Sequence, residues 1–307
     1  MHERLDPTRQ AAGRISTLIS VLVNVVLTIA QLLVGVFAHS QALIADAIHS
    51  LSDLLSDFVV LVANKHSQKA PDADHQYGHL RFENAASMIL GVLLMSVGAG
   101  MLWAAFTKLQ NPGDIPTVHS VALAVAVLTL ISKESLFRYL LKVGERVRSS
   151  MLIANAWHAR SDAASSLVVA LGIIANIAGF PLADPLAALI VGLMVARMGW
   201  KFFKEAFNDL MDRSVDKLTE KSIKQDLLST PGVQGIHDLK TRKMGDMIWV
   251  EVDLEMDATL TIEQGHAIAV RARDRVMQNE SVLDVMTHFD PVHVDSTAPS
   301  AQKTSKQ

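Results

Sequence analysis

The chain has 307 residues, half of them apolar, with a mean hydropathy of +0.27 and a formal net charge of −3. It contains no cysteine, which excludes disulfides and thiolate metal sites and leaves His, Asp, Glu and neutral oxygens as the only metal donors. No basic stripe marks a nucleic-acid surface. The apolar residues are concentrated before about residue 207, in runs near the roughly 20 residues that a helix needs to cross a bilayer.

Residues 1–14 carry acidic residues and a proline. The first apolar run, Ile15–Ala38, is long enough to span, so it reads as a membrane helix and not a signal peptide. Five more spans follow, at Ala42–Asn64, Phe82–Leu109, Val118–Leu141, Met151–Ala178 and Pro185–Phe203. With six spans, both termini share one side. Basic residues choose that side. Arg4, Arg9 and Arg14 precede the first span, Lys65, Lys69 and Arg81 lie between the second and third, and Arg138, Lys142, Arg146 and Arg148 lie around the fourth-to-fifth connection. The alternate connections, 39–41, 110–117 and 179–184, have no Lys or Arg. The positive-inside rule then places both termini in the cytoplasm, with the chain in the inner membrane.

From Asp212 the pattern changes to that of a small soluble domain. Helix Thr219–Ser229, strands Gly235–Lys243 and Met247–Met256, helix Thr261–Gln278 and strand Val282–Phe289 predict an α+β, ferredoxin-like sandwich over 212–295. Residues 296–307, rich in Ser, Thr, Lys and Gln, read as a disordered tail. The expected organisation is thus an N-terminal segment 1–14, a six-helix membrane domain 15–211, the soluble domain and the tail.

Two spans carry ionisable pairs. His49 and Asp53 lie four apart in the second, and His158 and Asp162 lie four apart in the fifth. Residues i and i+4 share a helix face, so each helix offers one imidazole and one carboxylate to a neighbour. Two nitrogens and two oxygens suit tetrahedral Zn2+. An ionisable side chain at mid-membrane costs roughly 2.5–3.5 kcal/mol even on insertion scales, so four of them need a partner, and a bound cation is one. The competing reading is a helix–helix hydrogen-bond network with Asn24 and Ser52. Asp46 and Asp57 flank the first pair as outer-shell or access residues, Asp46 equally as a helix cap. In the loop before the third span, the spacing of Asp72, His75 and His79 puts three donors within reach of one ion, against the alternative of a solvated polar turn.

Six spans, HxxxD on the second and on the fifth, a terminal α+β domain and the segment Pro71-Asp72-Ala73-Asp74-His75-Gln76-Tyr77-Gly78-His79 together resemble the cation diffusion facilitator family, from about residue 14 to residue 293. The resemblance implies a homodimeric, proton-coupled exporter of divalent metal in the lipid bilayer, not an enzyme. His49 points to the zinc-type members, with cadmium or cobalt tolerated. It also implies a peripheral zinc site at Asp72, His75 and His79, and regulatory zinc in the soluble domain at His237, His266, His288 and Asp290. There Asp253 stands where the second strand often has His, and Asp is a harder ligand. A Lys–Asp interlock of the family would here be Arg81–Asp212. Asp184-Pro185 reads as the start of the sixth helix. His2, His39, His66, His119 and His293 read as surface residues, His66 being nearest the peripheral site. The remaining alternatives are an exporter preferring Fe2+ or Mn2+, a membrane metal sensor that does not transport, and a membrane metalloenzyme, for which an HExxH run is missing.

Overall fold

The computed structural model of the chain describes residues 7–111, 113, 115–147 and 150–293, and for 7–14, 150 and 151 the backbone alone. His2, Arg4, Arg148 and the expected tail 296–307 lie outside the described residues, as do the side chains of Arg9 and Arg14. Six long helices come first: α1 Pro7–Phe37, α2 Gln41–Ser67, α3 Arg81–Gln110, α4 Ser120–Arg146, α5 Ser150–Ile177 and α6 Ala183–Leu210. Then follow α7 Lys217–Leu228, β1 Gly235–Met244, β2 Met247–Asp257, α8 Ile262–Val276 and β3 Val282–Val292. Among the described residues five helices are long and apolar enough to cross a membrane, namely α1, α3, α4, α5 and α6. The helix α2 is as long, but Asp46, His49, Asp53 and Asp57 dilute its apolar content.

Two compact units result. One runs through Val62 and from Ala86 to Lys204. The other joins Ala63–Ala85 to the chain from Glu205 onward. In the first unit the ends of several helices are tied together. The Ser40 hydroxyl and the Gln41 backbone N–H donate to the Asp184 carboxylate at 2.6 and 2.7 Å, the His119 N–H donates to the Ala38 carbonyl, and the Val118 N–H donates to Asn176 Oδ1. The C-termini of α1 and α5 therefore lie at one end with the N-termini of α2, α4 and α6.

Small residues let α3 and α6 approach backbone to backbone. A Cβ built on Gly98 would lie 2.6 Å from the Ala196 nitrogen, one on Gly91 2.5 Å from the Phe203 nitrogen, and one on Gly199 2.6 Å from the Met95 nitrogen. In an apolar solvent helix association rests on such close van der Waals packing, since lipid tails are as apolar as leucine.

In the second unit, α7 starts two residues before the expected Thr219, because the Asp216 carboxylate accepts from the Leu218 and Thr219 N–H groups and caps the helix there. The strands form one sheet in the order β1-β2-β3, antiparallel then parallel. Gly245, at φ 62°, opens the two-residue β1–β2 turn and has the backbone that a type II′ hairpin requires. The parallel β2–β3 pair needs a crossover, which α8 supplies. Along β2, Val250, Val252, Leu254 and Met256 point inward against Ile223 and Leu227 of α7 and Ile268, Ala269 and Ala272 of α8. Glu251, Asp253 and Glu255 point to the other face. Thr261 and Gln264 form a capping box at the start of α8.

Gly98→Leu places a side chain into the α6 backbone, so this variant is expected to lose thermal stability and membrane accumulation, whereas Gly100→Ala, whose Cβ meets nothing within 4 Å, leaves both unchanged. Thr261→Ala removes one half of the capping box and is expected to weaken α8 by ~1 kcal/mol. Amide hydrogen exchange in the full chain reads this as roughly fivefold faster exchange over the first turn of α8.

Candidate metal centres

The ligand atoms of His49, Asp53 and Asp162 lie within 4.8 Å of one another. His49 Nδ1 is 3.7 Å from Asp53 Oδ2, and its Nε2 is 4.0 Å from Asp162 Oδ1. The i,i+4 spacing delivers the first pair on one face of α2, and α5 presents Asp162 to it. His49 is buried, and its Nδ1 has no hydrogen-bond partner. A buried imidazole nitrogen without a partner, facing two carboxylates, fits a divalent cation. The fourth expected donor is disengaged. His158 lies beside Asp162, at 3.9 Å, but its side chain is 54% exposed and it is not in the group. Asp57, one turn beyond Asp53, is exposed too. Ser52 bonds its own helix, at the Ile48 carbonyl.

Asp46 is neither a helix cap nor a member of that group. It is fully buried, 3.6 Å from the Lys133 ammonium of α4. Gln31 Nε2 donates to it at 2.5 Å, and the Ser166 and Ser165 hydroxyls donate at 2.7 and 3.2 Å. Lys133, a single buried cation in an apolar helix, was detectable in the sequence as an intramembrane charge, but its partner was not. Asp184 also acts away from its own helix. Its carboxylate accepts from the first N–H groups of α2, so it caps the helix that carries His49 and Asp53.

The loop between α2 and α3 gathers Asp72, His75 and His79, with ligand atoms again within 4.8 Å. Asp72 accepts from the backbone N–H groups of His75 and Asp74, at 2.7 and 3.0 Å. Its carboxylate is 3.2 Å from His75 Nδ1 and 3.3 Å from His79 Nε2. The His75 backbone donor, followed by the His75 ring, lowers the pKa of Asp72 and keeps it a carboxylate. Gly78 takes φ 79° to turn the chain between the two imidazoles. His79 is buried, with its Nδ1 unpartnered, which again fits a metal. His66 is exposed and outside the group. Just beyond, Arg81 NH2 donates to the Asp212 carboxylate. Asp212 sits at φ 58°, a left-handed conformation that Asp tolerates better than most residues. Asn84 accepts the Gly245 N–H and donates to Asp209, tying the start of α3 to the β1–β2 turn and to the end of α6.

In the sheet, His237, Asp253 and His288 are register partners across β1, β2 and β3. Register partners point to the same face, and His288 Nε2 is 3.4 Å from Asp290 Oδ1. His266 is on the exposed side of α8. Among the described residues of this one chain, these five donors do not close into a three-ligand group.

Residues 17–211 match the cation efflux transmembrane domain, and residues 215–292 match the cytoplasmic domain of cation efflux proteins. An uncharacterized transporter of Methanocaldococcus jannaschii is 32% identical over 275 residues, which is 90% of this chain and 97% of that one. The manganese efflux system protein MneS of Bacillus subtilis is 33% identical over 296 residues, covering 94% of this chain and 99% of its own length. The magnetosome protein MamB of Magnetospira sp. is 32% identical over 273 residues, covering 89% and 93%. Matched by both family domains and by these relatives over most of its length, the chain belongs to the cation efflux, or cation diffusion facilitator, family, whose members are membrane transporters and not enzymes.

Proposed function

We propose that the chain exports a divalent transition metal, Zn2+ in the first place and Cd2+ or Co2+ with it, from the cytoplasm in exchange for protons. The observation that carries this reading is the convergence of His49, Asp53 and Asp162 in a buried position. The neutral imidazole binds metal and the imidazolium does not, so protons and metal compete for the same donors. Two carboxylates balance the charge of one divalent ion. His158 supplies the fourth donor when its side chain turns in from its exposed position. The second reading is Mn2+ export. Two oxygens and one nitrogen form a harder donor set than two nitrogens and two oxygens, and MneS is a relative of this length.

In this reading α2 spans with the other five helices, because Asp46, His49, Ser50 and Ser52 face protein and not lipid. The residues matching a cytoplasmic domain follow α6, so the end of the helical unit at Ser40, Asp184 and His119 faces outward, and both termini are cytoplasmic. The domains are the segment 1–14, the membrane domain 15–211, the cytoplasmic domain 212–295 and the tail 296–307, and the membrane is the inner one. Asp72, His75 and His79 hold a peripheral ion. The sheet face with His237, Asp253, His288 and Asp290 meets a second copy, and His266 joins the regulatory metal set from the helix layer. Arg81 and Asp212 are the interlock that keeps α3 with the cytoplasmic domain.

Proteoliposomes loaded with a metal-sensitive dye test the reading. Wild-type protein is expected to move Zn2+, while Asp53→Ala and Asp162→Ala reduce the flux by two orders of magnitude or so, because each leaves the remaining carboxylate and His49 without a balanced ion. Mn2+ moved faster than Zn2+ establishes the second reading, and binding of either metal without flux in any protein establishes a sensor. An acidic lumen is expected to accelerate Zn2+ uptake and a proton ionophore to abolish the acceleration. A flux indifferent to the pH gradient rules out proton exchange.

A further inference from the structure

The ion pair of Asp46 and Lys133 lies one helical turn from the metal donors, and the function just proposed does not use it. Asp46 is three residues before His49 on α2, and Ser165 and Ser166 are three and four residues after Asp162 on α5. Both displacements point toward the end of the unit formed by Ser40 and Asp184, so the network lies beside the transport donors on the outward side. Four helices contribute to it: Gln31 from α1, Asp46 and Ser50 from α2, Lys133 from α4, Ser165 and Ser166 from α5.

Its composition is that of a cation site. Two hydroxyls and an amide converge on one carboxylate, which is paired with one cationic group, and all of these side chains are at least nine-tenths buried. Lys133 Nζ stands 3.6 Å from Asp46 Oδ1 and 3.2 Å from Ser50 Oγ. The ammonium approaches Asp46 less closely than the hydroxyls and the amide do, so the carboxylate is oriented mainly by neutral donors. The helices also bring buried oxygens that bond nothing. Gln31 Oε1 is one. Thr129 Oγ1, one turn before Lys133 on α4, and Thr28 Oγ1, one turn before Gln31 on α1, are two more. Buried acceptors are rarely left unpaired, and each costs desolvation energy unless a cation or donor visits it.

We propose that Asp46, with Gln31, Ser165 and Ser166, is a second cation-binding station on the outward path, occupied in this state by the tethered ammonium of Lys133, and that the exported ion passes it by displacing that ammonium. A fixed cation on a flexible four-carbon stem can leave and return without exchange with solvent. It keeps Asp46 neutralised whenever no metal is there, so the empty outward path carries no bare carboxylate that would trap the departing ion. The proposal rests on the exporter reading for the direction of travel only.

Zn2+ binding to the purified full chain at neutral pH, by equilibrium dialysis, tests the station without any transport. In Lys133→Met the ammonium is gone and Asp46 captures a metal, so this variant is expected to bind one Zn2+ more per chain than wild type. The double variant Asp46→Asn/Lys133→Met is expected to return to the wild-type number. An unchanged number in Lys133→Met overturns the proposal, and the pair is then a neutral tie between helices. Asp46→Asn, which keeps the ammonium, supplies a second measurement if Lys133→Met does not reach the membrane. The expected result is a Zn2+ flux lower by roughly tenfold or more, with Zn2+ affinity of the His49 site unchanged, the pattern of a lost step and not of a lost fold. Flux and affinity falling together, or an unchanged flux, overturn it. A wild-type protein with no flux sinks the exporter reading while the ion count still decides the station.

Discussion

The helix α2 has to carry an imidazole and several carboxylates through apolar surroundings, and most of the helical unit is arranged around that demand. An unpaired charge in a low-dielectric interior costs several kcal/mol by Born arguments, so every such group needs a partner within reach. Each of the buried ones has a partner of a different kind. Asp46 has Lys133 and three neutral donors. Asp184 has the first N–H groups of α2. His49 and Asp53 have Asp162 and each other, an arrangement of one imidazole and two carboxyl groups with no fixed cation among them. On the proposed reading, the lack of a fixed cation there makes the last group a place for a divalent ion rather than a structural tie.

The apolar parts solve a separate problem. The α3 and α6 backbones meet closely across Gly91, Gly98 and Gly199. The ligand-bearing helices α2 and α5 instead meet neighbours through serines, Gln31 and Lys133. Dense glycine packing gives a contact with one arrangement, while hydrogen bonds of polar side chains can exchange partners. The donors proposed for the metal sit among the exchangeable contacts.

Much of this was legible in the chain. The i,i+4 spacing of His49 and Asp53 survives any folding detail, because a helix fixes it, and the same holds for His158 and Asp162. Alternation along Trp249, Glu251 and Asp253 marked β2, and the helix–strand–strand–helix–strand order followed from period alone. What spacing cannot give is the partner across helices. Lys133 and Asp46 are 87 positions apart, and Ser40 and Asp184 are 144 apart. The local reading therefore placed Asp184 at the start of α6 and left Asp46 as an outer-shell or access residue or equally a cap, whereas the capping carboxylate of α2 is Asp184. Likewise a rotamer decides that His158 faces out while Asp162, one turn away, faces in. The boundary of α7 moved for a local reason, since Asp216 offers a side-chain acceptor three residues before Thr219, the first residue with helical period.

The turn at Asp72 has a consequence for how an ion is met. Its carboxylate is already fixed by two backbone N–H groups, Gly78 already holds the left-handed bend, and the two imidazole rings already stand 4.5 Å apart. Ordering a flexible segment of this length would consume on the order of 1–2 kcal/mol of conformational entropy per residue, and here that cost is met by folding and not by the ion. On the proposed reading, metal capture by this loop is therefore limited by stripping water from the cation and from the donors of Asp72, His75 and His79. On that reading its temperature dependence follows hydration, since the turn between Asp72 and His79 is already held by its own hydrogen bonds.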